Sequence, residues 1–155
     1  MLDFITDRTK TDVEFLDYVR RKGYENLTEY ERQQWRLGRG AYNYTDLNRV
    51  EGNVKWLAEK LGLTLTTKTD WTLWDVPTTA EMTRYLSNVG KIRDACSADR
   101  SYPSLPTTMS NLTYVGANAI EMVLAICHQD IMATSSVLGT GKLGSMVLGE
   151  NLITG

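Results

Sequence analysis

The sequence contains few of the residues that build metal centres or disulfide frameworks. Its 155 residues include two cysteines, three prolines and a single histidine, His128. Structural metal sites and disulfide frameworks both need several Cys or His side chains, so we predict no metal and no cofactor. Long apolar runs are missing as well, and residues 1–8 lack the basic start and apolar core of a signal peptide. We therefore expect a soluble protein that does not contact a membrane.

Charge is also scarce at one end of the chain. Residues 1–62 contain 22 charged side chains, whereas residues 111–155 contain four. A segment with so little charge tends to associate, because little keeps it separate in water. We therefore predict that the C-terminal third is covered by other parts of this chain or by other copies. The net charge of −2 does not favour a nucleic-acid partner.

The patterning that is present is helical. Four threonines precede helix-spaced apolar residues and are candidate N-caps, since a threonine hydroxyl can accept a hydrogen bond from a free backbone N–H: Thr11, Thr28, Thr45 and Thr78. They predict helices at about residues 12–22, 29–38, 46–61 and 79–98. Residues 63–67 alternate apolar and polar side chains, which predicts a short strand or an extended connection. The prolines within residues 102–106 predict a rigid, extended linker.

A fifth helix is predicted at about residues 110–134, and it is the longest. All side chains from residue 122 to residue 127 are apolar, which is typical of a helix at the centre of a domain or an oligomer. Leu-Gly pairs then recur every five residues and predict a small β element that pairs between copies. We predict self-contacts through the apolar residues of this helix and tail, namely Leu112, Val115, Ala119, Ile120, Met122, Ile126, Leu138, Leu143 and Leu148.

These patterns predict a mainly α fold of about five helices, with a long apolar C-terminal helix and a short β tail. The chain divides into a three-helix region at residues 1–62, a connecting region at residues 63–110, and the last helix and tail at residues 111–155. These regions form either one compact unit or two subdomains. A helix with two apolar seams suits a three-fold bundle, so a homotrimer is favoured, while a dimer or a larger ring remains open.

Several phrases of the sequence carry a resemblance. They are ITDRT at residues 5–9, GAYNYTDLNRVE at residues 40–51, TDWT at residues 69–72, MTRYLSNV at residues 82–89, LTY at residues 112–114 and ANAIE at residues 117–121. In this order they resemble a helical module of virion structural proteins from phages and prophages of Gram-positive bacteria. The resemblance covers about residues 5–131, and the Leu-Gly tail departs from it.

The resemblance implies a non-enzymatic, particle-building role. The expected location is the tail, baseplate or fibre-attachment region of a virion, after synthesis in the cytoplasm of the bacterial host. The expected partners are further copies of the chain and other virion structural proteins. The resemblance does not imply which of these regions holds the protein.

Two other classes of function are compatible with particular residues. Trp71, Trp74 and Tyr102 are candidates for a glycan- or receptor-binding surface, although tryptophans in a small protein also favour burial. Cys127 and His128, with an aspartate two residues later, are candidates for a small hydrolase. Neighbouring residues on a helix point in different directions, which favours ordinary packing roles for both. The stripe of Arg32, Arg36 and Arg39 is interpreted as an ion-paired face beside glutamates.

Overall fold

Five α-helices make up most of the described chain. The computed structural model describes residues 2–96 and 99–140, with side chains described as far as residue 134. The helices are α1 (Lys10–Lys22), α2 (Glu29–Leu37), α3 (Tyr44–Leu61), α4 (Thr79–Ala95) and α5 (Tyr114–Thr140), with a single 3₁₀ turn at Tyr24–Asn26. The predicted mainly helical fold with five helices is confirmed. The predicted β tail, with Leu143 and Leu148, and the side chain of Leu138 lie outside the residues described.

Two of the four predicted helix starts are correct. The Thr28 and Thr78 hydroxyls cap α2 and α4, each accepting a hydrogen bond from the backbone N–H three residues later. In both caps the carboxylate of the glutamate at that third position accepts a hydrogen bond from the threonine N–H. Each box therefore satisfies N–H groups that a helix start leaves unpaired.

The other two predicted caps, Thr11 and Thr45, are wrong. Thr9 caps α1 and Asn43 caps α3, each helped by an aspartate three residues later that accepts from the cap N–H. In both boxes aspartate replaces the expected glutamate, and in α3 asparagine also replaces threonine, without changing the pattern of hydrogen bonds. Gly38 and Gly62 follow the last residues of α2 and α3 with left-handed backbone angles, as expected for glycine at a helix end.

The hydrophobic core lies between α3, α4 and α5. One face of each helix is buried against the other two, and the largest side chains with almost no exposure come from all three helices. These side chains interdigitate with Trp71, which lies in the connection between α3 and α4. The core members are Leu47, Val50, Val54, Leu57, Ala58, Trp71, Tyr85, Val89, Ile92, Ile120, Val123, Leu124 and Cys127.

The first two helices form a peripheral arm on this core. Val19 is the only residue of α1 that is buried, and α2 has none. The two helices are joined by a polar contact in which Lys22 lies 2.9 Å from Glu31, and the Tyr18 hydroxyl donates to the same carboxylate at 2.7 Å. We call residues 10–37 the arm.

Two extended segments are held on the core by asparagine side chains. Asn118 of α5 accepts from the backbone N–H of Arg8 at 3.0 Å and donates to its carbonyl at 2.8 Å. Asn48 of α3 makes the same pair of bonds to the backbone of Trp71, at 2.7 and 2.8 Å. Residues 63–67, predicted as a strand or an extended connection, form an extended connection. A side-chain amide thus replaces the neighbouring strand that an extended segment would otherwise need.

Candidate assembly surfaces

Three buried charged residues, Arg8, Asp46 and Glu121, together with the partly buried Arg49, join the N-terminal segment to α3 and α5. The guanidinium of Arg8 lies 2.7 Å from Asp46 and 2.8 Å from Glu121, and Arg49 lies 2.7 Å from Glu121. Glu121 also accepts from the backbone N–H of Ile5 at 2.7 Å. Two arginines therefore balance two carboxylates, and each buried charge has a partner.

Burial and pairing act in opposite directions on these charges. Burial disfavours the charged form of Arg49, but its hydrogen bonds to Glu121 and Asp46 outweigh burial and raise its pKa. Arg49 therefore stays charged, and its ion pair with Glu121 holds α3 to α5. The cluster was not predicted from the sequence, although a lone glutamate within the apolar run of α5 could have signalled a buried partner.

A third buried carboxylate, that of Glu51, fixes the connection between α3 and α4. Glu51 accepts from Arg84 of α4 at 2.6 and 3.0 Å and from the backbone N–H of Lys68 at 3.1 Å. Arg84 also donates to the carbonyl of Thr66 at 2.6 Å. This glutamate therefore determines the path of the chain that leads into the following turn.

The proposed hydrolase residues do not form a catalytic arrangement. Cys127 is buried in the core, with its Sγ 3.9 Å from the Tyr102 hydroxyl and 3.9 Å from the carbonyl of Ile92. Burial raises the pKa of the Cys127 thiol, which disfavours the thiolate that nucleophilic catalysis needs. Tyr102 is half-buried, and its hydroxyl is the group that contacts this thiol.

His128 packs between aromatic rings, away from the thiol. Its ring centroid lies 5.7 Å from that of Phe4 and 5.3 Å from that of Trp56. Asp130 accepts two hydrogen bonds from Arg100, at 2.6 and 3.0 Å. Aromatic packing and an ion pair therefore account for the positions of the imidazole and the carboxylate. Within the described part of the chain, no group of three or more His, Cys, Asp or Glu side chains could hold a metal ion.

The predicted self-contact residues differ in burial. Ile120 belongs to the core between α3 and α4. Ala119 is buried as well, although its spacing places it on the same side of α5 as Val115 and Met122. Val115 and Met122 face outward and are 60% and 38% exposed. Ile126 is half-buried beside them. Leu112, just before α5, packs against the edge of the core.

The outward residues form a short apolar stripe on α5. Val115 and Met122 are seven residues apart, which brings them close to the same side of a helix with 3.6 residues per turn. Ile126 continues this side by one further turn. We call these three residues the α5 stripe. None of the described helices is long and apolar enough to cross a bilayer.

The three aromatic residues proposed for ligand binding do not share one exposed surface. Trp71 is buried, and the ammonium of Lys68 lies 3.8 Å from its ring centroid in a cation–π contact. Trp74 is 87% exposed. With Trp71 buried in the core and Tyr102 directed at Cys127, only Trp74 presents its whole ring to solvent.

Trp74 belongs to a tight turn that presents three large apolar side chains. Leu73 and Val76, at 70% and 86% exposure, accompany Trp74, and we call Leu73 to Val76 the 73–76 turn. The Asp75 carboxylate accepts from the backbone N–H of Thr72 at 2.6 Å and from its hydroxyl at 2.9 Å. These bonds lower the pKa of Asp75, so the turn is closed by an ionised side chain.

A cleft of about 820 Å³ runs beside this turn, between α4 and residues 105–112. Its floor is apolar, with Met82 and Leu86 from α4 facing Leu105 and Met109. We call it the α4 cleft. The remaining residues that line it are Tyr42, Leu47, Pro77, Thr78, Thr79, Thr83, Ser87, Arg93, Pro106, Thr107, Thr108, Ser110 and Leu112.

Comparison of this chain with protein-family models, with curated proteins and with solved structures finds no match. The surfaces described above and the sequence phrases that carry the resemblance are therefore the features that bear on its function.

Proposed function

We propose that this chain is a non-enzymatic structural protein of a phage virion, in the tail, baseplate or fibre-attachment region. Copies assemble through the α5 stripe and the C-terminal residues that follow it, and the assembled copies dock other virion proteins. The observation that carries the proposal is the exposed stripe on the outer side of a helix whose inner side is fixed in the core. Exposed apolar stripes on a rigid element are typical of protein contacts.

The positions of the resemblance-carrying phrases support the proposal. ITDRT contains Arg8, GAYNYTDLNRVE contains Asp46 and Arg49, and ANAIE contains Asn118 and Glu121. These residues form the buried charge cluster and one of the asparagine contacts. The phrases thus coincide with the polar framework that sets the fold, as expected if they specify a structural module.

Burial of the α5 stripe also supplies a driving force for assembly that needs no catalytic step. Burial of apolar surface supplies about 25 cal/mol per Å², and ordering of the chains opposes it. The core and the charge cluster hold α5 in place before association, so little further ordering is needed. Val115 and Met122 are therefore the residues on which the contact depends most.

The experiment replaces Met122 by glutamate in the full-length chain. A charge in the centre of an apolar contact should dissociate the oligomer, which sedimentation velocity would show as a smaller species. Gln33→Glu, at an exposed position in α2, is the matched control for added charge. An unchanged oligomer in Met122→Glu, or a wild-type monomer at every concentration tested, would contradict the contact.

Location in a particle needs a separate measurement. We expect immunoblots of purified particles from a strain carrying the gene to detect the chain, and to detect less of it when Met122→Glu or a deletion of residues 135–155 is introduced. Absence of the wild-type chain from intact particles would reject the virion role even if the oligomer forms.

A further inference from the structure

We infer that this chain has a second self-contact, separate from the α5 stripe, in which the 73–76 turn of one copy inserts into the α4 cleft of another. The exchange is reciprocal, so that a two-fold axis relates the copies. This inference does not depend on the virion role.

The turn is built to be buried by something outside its own chain. Its three apolar side chains are among the most exposed of the described large hydrophobic residues. Flexibility does not explain this exposure, because Asp75 closes the turn and Lys68 lies 3.8 Å from the same carboxylate. A rigid turn loses little entropy when it binds, so its apolar surface contributes fully to association.

The cleft and the turn lie on the same face of the molecule. Pro77, Thr78 and Thr79 line the cleft and directly follow the turn in sequence. When a projection and a complementary recess share one patch, a two-fold axis can satisfy both at once, because residue i of one copy meets residue j of the other and the reverse. The 87% exposure of Trp74 shows that the turn does not fill the cleft of its own chain.

The buried area is sufficient for a specific dimer. A large aromatic side chain presents about 150–250 Å², so the three side chains of the turn offer on the order of 400 Å². The cleft lining that insertion covers is smaller than this, and each copy contributes both surfaces. The total for the two reciprocal contacts is roughly 1,300 Å², near the lower limit for a specific protein interface.

No like charge opposes insertion of the turn into the cleft. Asp70, which is exposed, and Asp75 flank the apolar residues of the turn. The described lining of the cleft contains no carboxylate, and its one cation, Arg93, is bonded to Asp94 at 2.8 Å. Stacking of two turns against each other would bring their aspartates together, which favours the reciprocal contact.

The test uses sedimentation equilibrium of the full-length chain in a Met122→Glu background, which removes the α5 contact. We expect a dimer whose dissociation constant rises at least about thirtyfold in Trp74→Ala, the size of effect of a central tryptophan hot spot. Thr83→Arg should weaken the dimer similarly, because Thr83 is exposed in the cleft and does not belong to the core. Leu37→Ala, which truncates an apolar side chain that is 60% exposed in the arm, should leave the dissociation constant unchanged.

A cross-link identifies the occupant directly. A benzophenone amino acid at position 74, in a mixture of ¹⁴N- and ¹⁵N-labelled chains, should give mixed-isotope cross-links to Met82 or Met109 under light. A monomeric Met122→Glu protein, an unchanged dimer in Trp74→Ala, or cross-links that stay within one chain would each overturn the inference. Binding of a polysaccharide by Trp74 in a protein that does not dimerise would overturn it in favour of a ligand site.

Discussion

The three-helix core and the arm are both helical, but different forces hold them. Between α3, α4 and α5 the helices bury an apolar face each, together with charged residues such as Glu121 that have no exposed surface. In the arm, α2 buries no residue and contacts α1 through a lysine and a glutamate that water reaches. Capping boxes are present in both regions, so local helix signals do not distinguish them. The extent of burial distinguishes the two regions, and it determines where a substitution reduces the free energy of unfolding most.

The largest effect is expected from the buried charge cluster. Glu121→Gln leaves Arg8 and Arg49 without a full counter-charge in the core, which should reduce the free energy of unfolding by about 3–5 kcal/mol. Urea denaturation would measure the loss. Glu29→Gln is the control, since Glu29 is exposed and its pairing with Arg36 should contribute at most about 1 kcal/mol. Equal losses in the two variants would remove the distinction between core and arm.

Truncation of a leucine should give the next largest difference in stability between the two regions. Leu57→Ala opens a cavity at a fully buried position of α3 and should cost about 2–5 kcal/mol. Leu37→Ala makes the same chemical change on the exposed side of α2, where about 0.5 kcal/mol or less is expected. Thermal unfolding of both variants against wild type measures the difference.

The asparagine contacts are expected to have intermediate effects. Asn118→Ala leaves the backbone N–H and carbonyl of Arg8 without their amide partner, at a cost of about 1–3 kcal/mol. Hydrogen exchange should rise first in residues 2–9, before the core opens. Simultaneous loss of protection in the core would mean that the N-terminal segment and the core unfold as one unit.

The smallest effect is a pH dependence confined to the arm. The hydrogen bond from Lys22, with those from Tyr18 and the Thr28 N–H, lowers the pKa of Glu31 to about 2. A lowered carboxylate pKa stabilises the fold above pH 4.5, and this stabilisation is lost as the pH falls towards 2. NMR titration should show Glu31 titrating near pH 2 in wild type and nearer 4.5 in Lys22→Met. A wild-type value near 4.5 would show that the contact does not persist in solution.

The sequence predicted the helices better than their surroundings. Helical spacing identified all five because this signal is local, although two of the four predicted caps were wrong. Apolar spacing could not assign Ala119 and Ile120 to the core of this chain rather than to a neighbouring copy, since both situations bury the same residue types. The Arg8 and Glu121 pairing was missed for a related reason. Its members are 113 residues apart, and only the packing of α5 against the N-terminal segment brings them together.

The attachment of the first residues to α5 has a mechanical consequence. Ile5 and Arg8 are hydrogen-bonded through their backbone to Glu121 and Asn118, so residues 5–8 are tied to the first turns of α5. The ion pair between Arg8 and Glu121 joins the same two segments. A force that pulled the N-terminal segment away from α5 would therefore have to break several polar contacts together.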